Sequence, residues 1–464
     1  MPGRIAVVGG GVGGLTVAHR LLGRDPSADV VVLEAAERPG GKLTTVTVGG
    51  LELPAGPDSF LARKPWAVEL CRELGIGNEL VAPTETGAWL WTERGLVPFL
   101  ADMAFGIPGD VGDVFRWPGL SRAGKWRALG DLVRSKRKDQ GDETLGSLLR
   151  RRLGDEATDR TVGPLLAGLH AGDVDRLSVR ATFPELQAWE SSQGSLIRGA
   201  QAARRRARQG EPGPMFLRPA AGVQRLTEVL AGRLGDTVRT RATVTRIDPD
   251  GAGWVLGLDG GERVRADAVV LAVPAPIARR LLEPLDHGLA TELDAIPHVS
   301  TGVALMVYPD GTADDLPAGT GFVVPRGRAP MTASTWLSRK WPSEAFGTRA
   351  VVRCFVGAAG EEDVLDAADE DIVAACAVHL HALTSLPEAP VDSALIRWPA
   401  SMPQYELGHL ERVARLRERL PAGIVVTGPS YEGVGVPDVV RAADEAAAAA
   451  ADAVAEHIHE ETER

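Results

Sequence analysis

The chain has 464 residues, of which 44% are hydrophobic and 24% are charged, so it is long enough for two or three globular domains. Its formal net charge of −11 argues against a general nucleic-acid binder. The three cysteines, Cys71, Cys354 and Cys376, stand far apart and form no CxxC pair, so the sequence predicts neither disulfides nor a metal site and favours a reduced, cytoplasmic compartment.

The first predicted elements are a strand at residues 5–8, a glycine turn and a helix. Gly9, Gly11 and Gly14 fit the dinucleotide-binding pattern G-x-G-x-x-G. In that pattern the first glycine permits a tight turn, the second lets backbone approach a pyrophosphate, and the third lets the helix pack closely on the strand. Free N–H groups at the helix start attract phosphate. The turn therefore predicts dinucleotide binding, with a chance glycine turn as the alternative.

A second predicted strand begins at Asp29 and ends at Glu34, twenty positions after Gly14. A carboxylate at this distance typically accepts a hydrogen bond from a ribose hydroxyl. An acid there disfavours a 2′-phosphate, which argues against NADP. FAD and NAD both stay open at this point.

The stretch EAAERPGGKLTTV, which begins at Glu34, contains Arg38, Gly40, Gly41 and Lys42. It resembles the E-x-x-x-R-x-G-G-R signature of the superfamily of flavin amine oxidases and protoporphyrinogen oxidases, with Lys42 in place of the more frequent arginine. A glycine pair admits backbone close to a bulky cofactor, and Arg38 can neutralise a pyrophosphate. The resemblance implies that these residues bind FAD, and an exposed turn with a solvated arginine is the alternative.

Three further stretches resemble the bacterial protoporphyrinogen and coproporphyrinogen oxidases, above all the coproporphyrinogen-oxidising enzymes of Gram-positive bacteria. They are ELPAGPDSFLARKPWAVELCRELGI (52–76), LLAGLHAGDVDRLSVRATFPEL (165–186) and MTASTWLSRKWP (331–342). The resemblance implies that Arg63 and Lys64 meet the tetrapyrrole. It also implies FAD-dependent conversion of coproporphyrinogen III to coproporphyrin III in haem biosynthesis, with O2 as acceptor and H2O2 as product.

Leu169 and His170 lie in the second of these stretches. His170 stands where the family usually has a tyrosine, and by residue type it is the candidate proton acceptor in a reaction that the flavin otherwise carries. A hydrogen-bonded structural histidine is the alternative. Leu169 is a candidate pocket wall, with core packing as the alternative.

Residues 116–208 carry 19 Lys and Arg against 11 Asp and Glu, a net charge of +8 on an acidic chain. Such a segment suits an anionic membrane surface or a polyanionic ligand such as coproporphyrinogen, which has four propionates. A solvated basic face is the alternative. Long helical patterns with few strand patterns predict a helical insert here.

Residues 218–235 predict a turn and an amphipathic helix, and alternating strand patterns follow with turns at residues 250–251 and 260–261. These patterns predict a small antiparallel excursion before a parallel strand at residues 268–273. The family resemblance implies that the backbone around Val244 meets the adenine of FAD.

Near the end of the chain, GIVVTGPSYEGVGVPDVVRAADE, which starts at Gly423, repeats the N-terminal order of strand, glycine turn and helix. It resembles the terminal flavin motif of the superfamily, and the resemblance implies that Gly428, Gly435 and Val436 face the ribityl chain and the flavin ring. The two glycine units then enclose one cofactor from opposite sides. A helix start without a ligand is the alternative.

Together these elements predict an α/β fold with a discontinuous Rossmann-like FAD domain, a mixed-sheet substrate domain and a helical insert on the pocket or membrane side. The expected segments are 1–75, 216–285 and 406–464 for the FAD domain, 76–94 and 286–405 for the substrate domain, and 95–215 for the insert.

Other members of the superfamily fit less well. Many amine oxidases hold flavin through a C-terminal cysteine, but no cysteine follows Cys376, so we expect non-covalent FAD. Many also place a lysine near the flavin where this chain has Ala304, and its three tyrosines are few for an amine cage. Carotenoid desaturases would favour an apolar tunnel. Oxidation of protoporphyrinogen IX, or a flavin-bound tetrapyrrole carrier without turnover, stays open.

We expect no membrane-spanning segment, because Asp452 and Glu456 interrupt the alanine-rich tail. Peripheral membrane contact and docking of haem-pathway enzymes stay open. The expected small-molecule partners are the tetrapyrrole and O2.

Overall fold

The computed structural model describes residues 3–100, 103–137, 141–209 and 213–462. The strands in these ranges are β1 (Arg4–Val8), β2 (Asp29–Leu33), β3 (Thr45–Val48), β4 (Leu51–Pro54), β5 (Phe60–Leu61), β6 (Leu80–Val81), β7 (Trp89–Thr92), β8 (Gly95–Pro98), β9 (Phe216–Pro219), β10 (Val238–Arg239), β11 (Val244–Asp250), β12 (Gly253–Leu258), β13 (Arg263–Ala266), β14 (Ala268–Leu271), β15 (His298–Val307), β16 (Gly321–Val323), β17 (Met331–Trp336), β18 (Val351–Val356), β19 (Asp392–Pro403) and β20 (Ile424–Val426).

The α-helices are α1 (Val12–Arg24), α2 (Trp66–Glu73), α3 (Val111–Arg116), α4 (Arg122–Leu129), α5 (Leu145–Leu153), α6 (Asp155–Ala157), α7 (Gly163–Gly168), α8 (Val179–Thr182), α9 (Pro184–Gln193), α10 (Leu196–Gln209), α11 (Gln224–Leu234), α12 (Ala275–Leu282), α13 (His287–Asp294), α14 (Leu337–Lys340), α15 (Asp369–Leu383), α16 (His409–Arg419) and α17 (Val436–Thr462). Short 3-10 turns lie at Gly77–Glu79, Gly130–Leu132, Gly235–Thr237, Ala313–Asp315, Glu344–Phe346 and Glu362–Asp366, and a π-helical turn at Thr158–Val162 joins α6 to α7.

A five-stranded parallel sheet has the strand order β10-β2-β1-β14-β20. Its central strand β1 is an apolar run buried after its first residue, as expected of a parallel strand covered on both faces. Val8 lies opposite Leu33 of β2 and Leu271 of β14, so these strands end at the same edge. The prediction that both ends of the chain join one α/β unit is confirmed.

The two faces of this sheet bury alternate residues of β1. Ile5 and Val7 pack with α1, α2, α11 and α17. Ala6 and Val8 pack with the antiparallel sheet β11-β12-β13 and with α12, α13 and α16. The predicted antiparallel excursion is therefore present, and it covers one face of the parallel sheet.

A second, seven-stranded sheet has the order β19-β15-β18-β17-β16-β7-β8. It is mixed, as predicted, because β16 pairs with β7 in parallel and the other neighbours are antiparallel. One face packs on α15. The other face packs on the hairpin β3–β4, which follows β2 of the parallel sheet in sequence.

Helices α3 to α10 form a separate unit around the fully buried Trp117. A buried ion pair between Arg152 and Asp131 lies within it. The predicted start of the insert at residue 95 falls on β8, which pairs with β7 in the large sheet, and the helices begin only at Val111. The other segment boundaries stay predictions. Within the described ranges, no helix has the length and apolar content needed to cross a bilayer.

Candidate active site

The first glycine turn leaves an opening at the start of α1. Gly9 has a φ of +103°, in the left-handed region that favours glycine. A Cβ on Gly14 would lie 1.9 Å from the carbonyl oxygen of Gly9, so the packing of α1 on β1 requires glycine there. Gly11 caps α1, and a Cβ on it would meet no described atom within 4 Å. A phosphate can therefore approach the backbone N–H groups at this end of the helix.

Glu34 follows the last residue of β2 and lies over this turn. Its Oε2 accepts a 2.6 Å hydrogen bond from the Gly10 N–H, and its Oε1 accepts a 2.7 Å bond from the Ala36 N–H. The segment before β11 reaches the same place, because the Ala242 N–H donates to the Glu34 carbonyl oxygen at 2.8 Å. Val244, half-buried, begins β11 two residues later. The structure thus brings Glu34 and the Val244 segment together.

The second glycine pair faces the first turn. The Gly40 N–H donates to the carbonyl oxygen of Gly10 at 2.8 Å. A Cβ on Gly41, whose φ is +57°, would lie 3.2 Å from the Cα of Gly11. Arg38, at the start of this segment, is exposed. Backbone from both turns therefore borders the opening at Gly11.

Lys42 connects the glycine pair to the seven-stranded sheet. Its Nζ donates to the carbonyl oxygen of Ser401 in β19, and burial lowers the pKa of its ammonium group to about 8. A Cβ on Gly56 would lie 1.8 Å from the Lys42 carbonyl oxygen, so the segment after β4 runs directly alongside. The glycine turns and the large sheet therefore meet at Lys42.

The closing glycine unit lies beside the first one. Gly428 has a φ of +116°, and a Cβ on it would meet no described atom within 4 Å. Val436 begins α17 and is buried in the same cluster as residues of α1. A Cβ on Gly13 would lie 3.2 Å from Cγ1 of Val439, so the first turns of α1 and α17 are in contact. Two helix starts therefore lie next to two open glycine positions.

Tyr405, which follows β19, holds the loop between β20 and α17, residues 427–435, which we call the closing loop. Its hydroxyl accepts a 2.7 Å hydrogen bond from the Gly433 N–H and donates to the Pro429 carbonyl oxygen. Its ring stacks on His409 at a centroid distance of 4.0 Å. Burial raises the pKa of the Tyr405 hydroxyl well above its usual range, so it stays a donor at neutral pH.

His298, at the start of β15, holds the same loop from a second strand. Its Nδ1 lies 2.9 Å from the Ile296 carbonyl oxygen, which only accepts, so Nδ1 carries the proton. Its Nε2 then accepts from the Ser430 hydroxyl at 2.9 Å, and that hydroxyl oxygen accepts from the Ala275 N–H. Sequence reasoning missed Tyr405 and His298, because neither belongs to a motif and both act over more than 20 residues.

Lys64 forms an ion pair with the first turn of α17. Its Nζ lies 2.7 Å from both carboxylate oxygens of Asp438. The Asp438 side chain is 15% exposed, and its Oδ2 would lie 2.9 Å from a Cβ on Gly435. The charge of Lys64 is therefore paired within the protein, whereas the neighbouring Arg63 is exposed.

His170 is buried between two aromatic rings, with centroid distances of 5.5 Å to Phe183 and 6.0 Å to Tyr405. Its Nδ1 has no hydrogen-bond partner among the described residues. Burial and, to a lesser degree, the charge of Lys64 lower the pKa of His170 to about 4, so the ring is neutral at pH 7. Leu169 beside it is 56% exposed, which does not fit the core-packing interpretation.

This arrangement fits a dinucleotide. Two helix starts and open glycine backbone suit a pyrophosphate, and a carboxylate stands where a ribose is expected. The structure collects most of the predicted cofactor residues around the ends of β1, β2 and β20, and it leaves Arg38, Arg63 and Leu169 exposed.

Comparison with known proteins gives a match over residues 12–451 to the family of flavin-containing amine oxidoreductases. The coproporphyrinogen III oxidase of Bacillus subtilis is 34% identical over 97% of each chain. That of Mycobacterium tuberculosis H37Rv is 34% identical over 96% of each chain. The chloroplastic protoporphyrinogen oxidase 1 of Arabidopsis thaliana is 27% identical over 92% of this chain and 82% of its own.

Solved structures agree on the architecture. A protein from Exiguobacterium sp. 255-15, assigned as a protoporphyrinogen oxidase, superposes with a TM-score of 0.88 and 30% identity over 97% of this chain and 99% of that one. Putrescine oxidase bound to putrescine superposes with a TM-score of 0.69 at 20% identity over 97% of this chain and 98% of that one, which shows the fold alone.

The predictions of superfamily and cofactor are confirmed. The fold is that of the flavin amine oxidases, the cofactor is FAD, and the protein is an oxidoreductase. The chain belongs to the flavin-containing amine oxidoreductase family.

Proposed function

We propose that this protein oxidises coproporphyrinogen III to coproporphyrin III, with O2 as electron acceptor and H2O2 as second product. The observation that carries the proposal is the 34% identity, over 97% of both chains, to a coproporphyrinogen III oxidase. The plant relative named for protoporphyrinogen is 27% identical over 82% of its length, and the solved structure assigned to that activity is 30% identical, both below 34%. This difference favours the substrate with four propionates over the substrate with two.

When bound, FAD supplies a ring that accepts hydride from the porphyrinogen, and the residues of this chain bind and orient it. Gly9, Gly11 and Gly14 give the pyrophosphate a backbone surface at the start of α1. Glu34 accepts a hydrogen bond from a ribose hydroxyl, and the backbone at Val244 lies against the adenine. The contact between Ala242 and Glu34 supports this placement.

The second and third groups of cofactor residues come from the glycine pair and the closing loop. Arg38, Gly41 and Lys42 would hold the cofactor near its pyrophosphate. Gly428, Gly435 and Val436 would hold its ribityl chain and ring. Tyr405 and His298 hold the closing loop in position, which is supported by their hydrogen bonds to Gly433 and Ser430.

Proton transfer needs little from the side chains, because pyrrole N–H protons are lost by tautomerisation. His170 is the candidate acceptor, since its Nδ1 is free of partners among the described residues and it is neutral at pH 7. Its low pKa makes it a weak base, so we assign solvent the larger share of proton uptake. On the substrate side, Arg63 meets a propionate, Lys64 acts through its pairing with Asp438, and Leu169 lines the pocket mouth.

Anaerobic mixing of the FAD-loaded protein with each porphyrinogen tests the proposal. Coproporphyrinogen should bleach the flavin absorbance faster than protoporphyrinogen, and admitting O2 should restore the colour and release H2O2. Faster bleaching by protoporphyrinogen would make the protein a protoporphyrinogen IX oxidase. Binding of either substrate without bleaching would make it a tetrapyrrole carrier without turnover.

Non-covalent attachment of FAD is a further part of the proposal. The described cysteines, Cys71, Cys354 and Cys376, are buried, and none of them lies in the closing loop. Acid precipitation should therefore release all yellow colour into the supernatant, and colour retained in the pellet would overturn this expectation.

A cytoplasmic location is supported by the same cysteines, which are free and buried. Peripheral membrane contact is supported by an exposed aromatic pair on the helical insert, Phe115 and Trp126, whose ring centroids lie 5.4 Å apart. Flotation with anionic vesicles tests this contact, and Trp126→Ser should abolish it. Docking of other haem-pathway enzymes stays a proposal.

A further inference from the structure

A group of charged side chains lies between the large sheet and the segment that leads into β5. Asp58 accepts hydrogen bonds from Lys340 Nζ at 3.0 Å and from Trp341 Nε1 at 3.1 Å. Arg218 of β9 and Arg353 of β18 also interact electrostatically with Asp58. We call Asp58, Arg218, Lys340 and Arg353 the cation cluster. One carboxylate and three cations give it a net charge of +2.

Asp58 is an anion in this cluster. Burial alone would raise its pKa, but the charges of Lys340 and Arg353 hold the pKa of Asp58 well below its usual range. Its oxygens already accept from Lys340, Trp341 and the hydroxyl of Ser59. The single negative charge of Asp58 therefore cannot balance the three positive charges around it.

Arg353 has no comparable partner. Its side chain is 2% exposed, yet across the described ranges neither its Nε nor its Nη1 meets a hydrogen-bond acceptor. The Nε of Arg218 is in the same condition. Buried guanidinium groups are normally paired and hydrogen-bonded, because an unpaired buried charge is costly. Unmatched donors on two neighbouring guanidinium groups, together with the net charge, suit an anion whose oxygens accept from different cations.

Both guanidinium groups lie over aromatic rings. The Cζ of Arg353 lies 4.9 Å from the ring centroid of Phe355, and the Cζ of Arg218 lies 4.5 Å from that of Trp341. Such cation–π contacts restrict the two guanidinium groups and lower the entropy that they lose on binding a carboxylate. Thr335 stands opposite Arg353 in the sheet, and both Thr335 and Phe355 are half-buried, so this face is not closed.

The cluster lies close to the cofactor side. Asp58 follows Gly56, whose hypothetical Cβ would lie 1.8 Å from the Lys42 carbonyl oxygen. Trp398 of β19 donates to the Ala55 carbonyl oxygen at 3.0 Å, which ties the same segment to the large sheet. The chain segment that carries Asp58 therefore contacts both the glycine-pair segment at Lys42 and the large sheet at Trp398.

We propose that Arg353, together with Arg218 and Lys340, binds one propionate carboxylate of the tetrapyrrole and so orients its ring. This inference rests on the proposed function and names a binding site for that substrate. The partner is recognised by its chemistry, a carboxylate on a flexible arm, which can accept charge-assisted hydrogen bonds from the unmatched guanidinium donors.

Binding of the product coproporphyrin III to the FAD-loaded protein tests the proposal by titration calorimetry. Arg353→Met should weaken binding roughly 10- to 150-fold, the range for a hydrogen bond to a charged group. Coproporphyrin tetramethyl ester, which lacks the negative charges, should bind the wild type and Arg353→Met alike. Arg263→Met, which removes an exposed arginine from β13, is the matched control and should bind the acid normally.

FAD content and melting temperature are measured on the same samples. A substrate-binding role leaves the melting temperature of Arg353→Met nearly unchanged, because Asp58 keeps its hydrogen bonds to Lys340 and Trp341, whereas a structural role lowers it. If Arg353→Met does not fold, the acid and ester contrast is measured on Arg218→Met, where a smaller loss for the acid is expected.

Equal affinity for the acid in the wild type and the folded variant would overturn the proposal, as would an equal loss for acid and ester. A second contradicting result would have two parts. Sodium acetate would raise the melting temperature of the wild type but not of Arg353→Met, and Arg353→Met would bind coproporphyrin as tightly as the wild type. The cluster would then bind an anion from solvent and not the substrate. If the wild type oxidises neither porphyrinogen, the proposed function fails. If the wild type turns over normally and Arg353→Met binds coproporphyrin normally, the inference about Arg353 fails while the proposed function stands.

Discussion

The cofactor side and the cation cluster of this molecule are built by different means. Around Gly11 the walls are backbone, and the two glycine turns that form them lie within about forty positions of each other. Around Arg353 the walls are side chains from four separate segments, at Asp58, Arg218, Lys340 and Arg353. One region is a local backbone structure, and the other exists only through tertiary packing.

This difference decides what each region tolerates. A backbone site depends on the absence of side chains, so its glycines have a positive φ (Gly9), a neighbour too close for a Cβ (Gly14), or open space where a ligand would lie (Gly11). A side-chain site depends on charge balance, which a ligand can complete. Substitutions should therefore act through shape on the cofactor side and through charge on the substrate side.

The sharpest test of the backbone interpretation compares two neighbouring glycines. Gly14→Val should prevent folding, because its Cβ would lie 1.9 Å from the Gly9 carbonyl oxygen, and the backbone there cannot yield without a cost above about 3 kcal/mol. Gly11→Val should fold, since its Cβ meets no described atom within 4 Å, but the side chain would occupy the phosphate position.

Far-ultraviolet circular dichroism and flavin absorbance measure the two outcomes separately. Gly11→Val should give a folded, colourless protein, and Gly14→Val should give little folded protein. A yellow Gly11→Val protein would contradict the assignment of the opening to the pyrophosphate.

The second prediction concerns His170, which lies where the closing loop meets the helical insert. Its folded-state pKa of about 4 is below the ordinary value of about 6.5, so the unfolded chain binds a proton in this range that the folded protein does not. Stability should therefore fall as the pH falls from 7, with a contribution from His170 approaching about 3 kcal/mol near pH 4.

Denaturant unfolding at pH 7 and pH 5 measures this effect. His170→Phe keeps a ring between Phe183 and Tyr405 and should reduce the loss of stability between the two pH values, although His409, also lowered to about 4 mainly by burial, keeps part of it. The exposed His287→Gln is the control. An identical pH dependence in wild type and His170→Phe would contradict the buried, neutral state of His170.

These regions also differ in how much the sequence predicted. The glycine turns, the Glu34 strand and the closing unit were predictable because each is a local feature with its own spacing. The hydrogen bonds by which Tyr405 and His298 fix the closing loop were not predictable, since no local pattern distinguishes those side chains. The insert boundary was placed too early because β8 is a short hairpin strand whose pairing with β7 leaves a weak pattern.

The third prediction separates Arg63 from Lys64, which the sequence treated as equivalent. Arg63 is exposed, so Arg63→Ala should keep its FAD and lower kcat/KM for coproporphyrinogen roughly 5- to 150-fold. Lys64→Ala, by contrast, should lose FAD, because Asp438 in the first turn of α17 would lose its partner next to Gly435.

Steady-state kinetics and flavin content on the same preparations distinguish the two variants. Rising ionic strength should weaken coproporphyrinogen binding to the wild type more than to Arg63→Ala, since screening acts on the lost charge pair. Unchanged kinetics in Arg63→Ala would show that other cations bind the substrate carboxylates. Full FAD content in Lys64→Ala would show that the closing loop does not depend on the ion pair.

The smallest expected effect belongs to Leu169, and it tests whether the substrate side extends to the surface. A leucine that is 56% exposed contributes little to the core, so Leu169→Ser should change the free energy of unfolding by less than about 0.5 kcal/mol. Its neighbour His170 is buried against Tyr405, which contacts the closing loop, so the chain passes from surface to site within one residue.

If Leu169 covers the pocket mouth, the variant should raise KM for coproporphyrinogen a few-fold while kcat and FAD content stay unchanged, because apolar cover adds binding without touching the reacting ring. Val378, a branched aliphatic residue of α15 that is 63% exposed, supplies the control as Val378→Ser, which should leave both KM and stability unchanged. A KM for Leu169→Ser equal to that of the control would restrict the substrate side to the buried residues around His170.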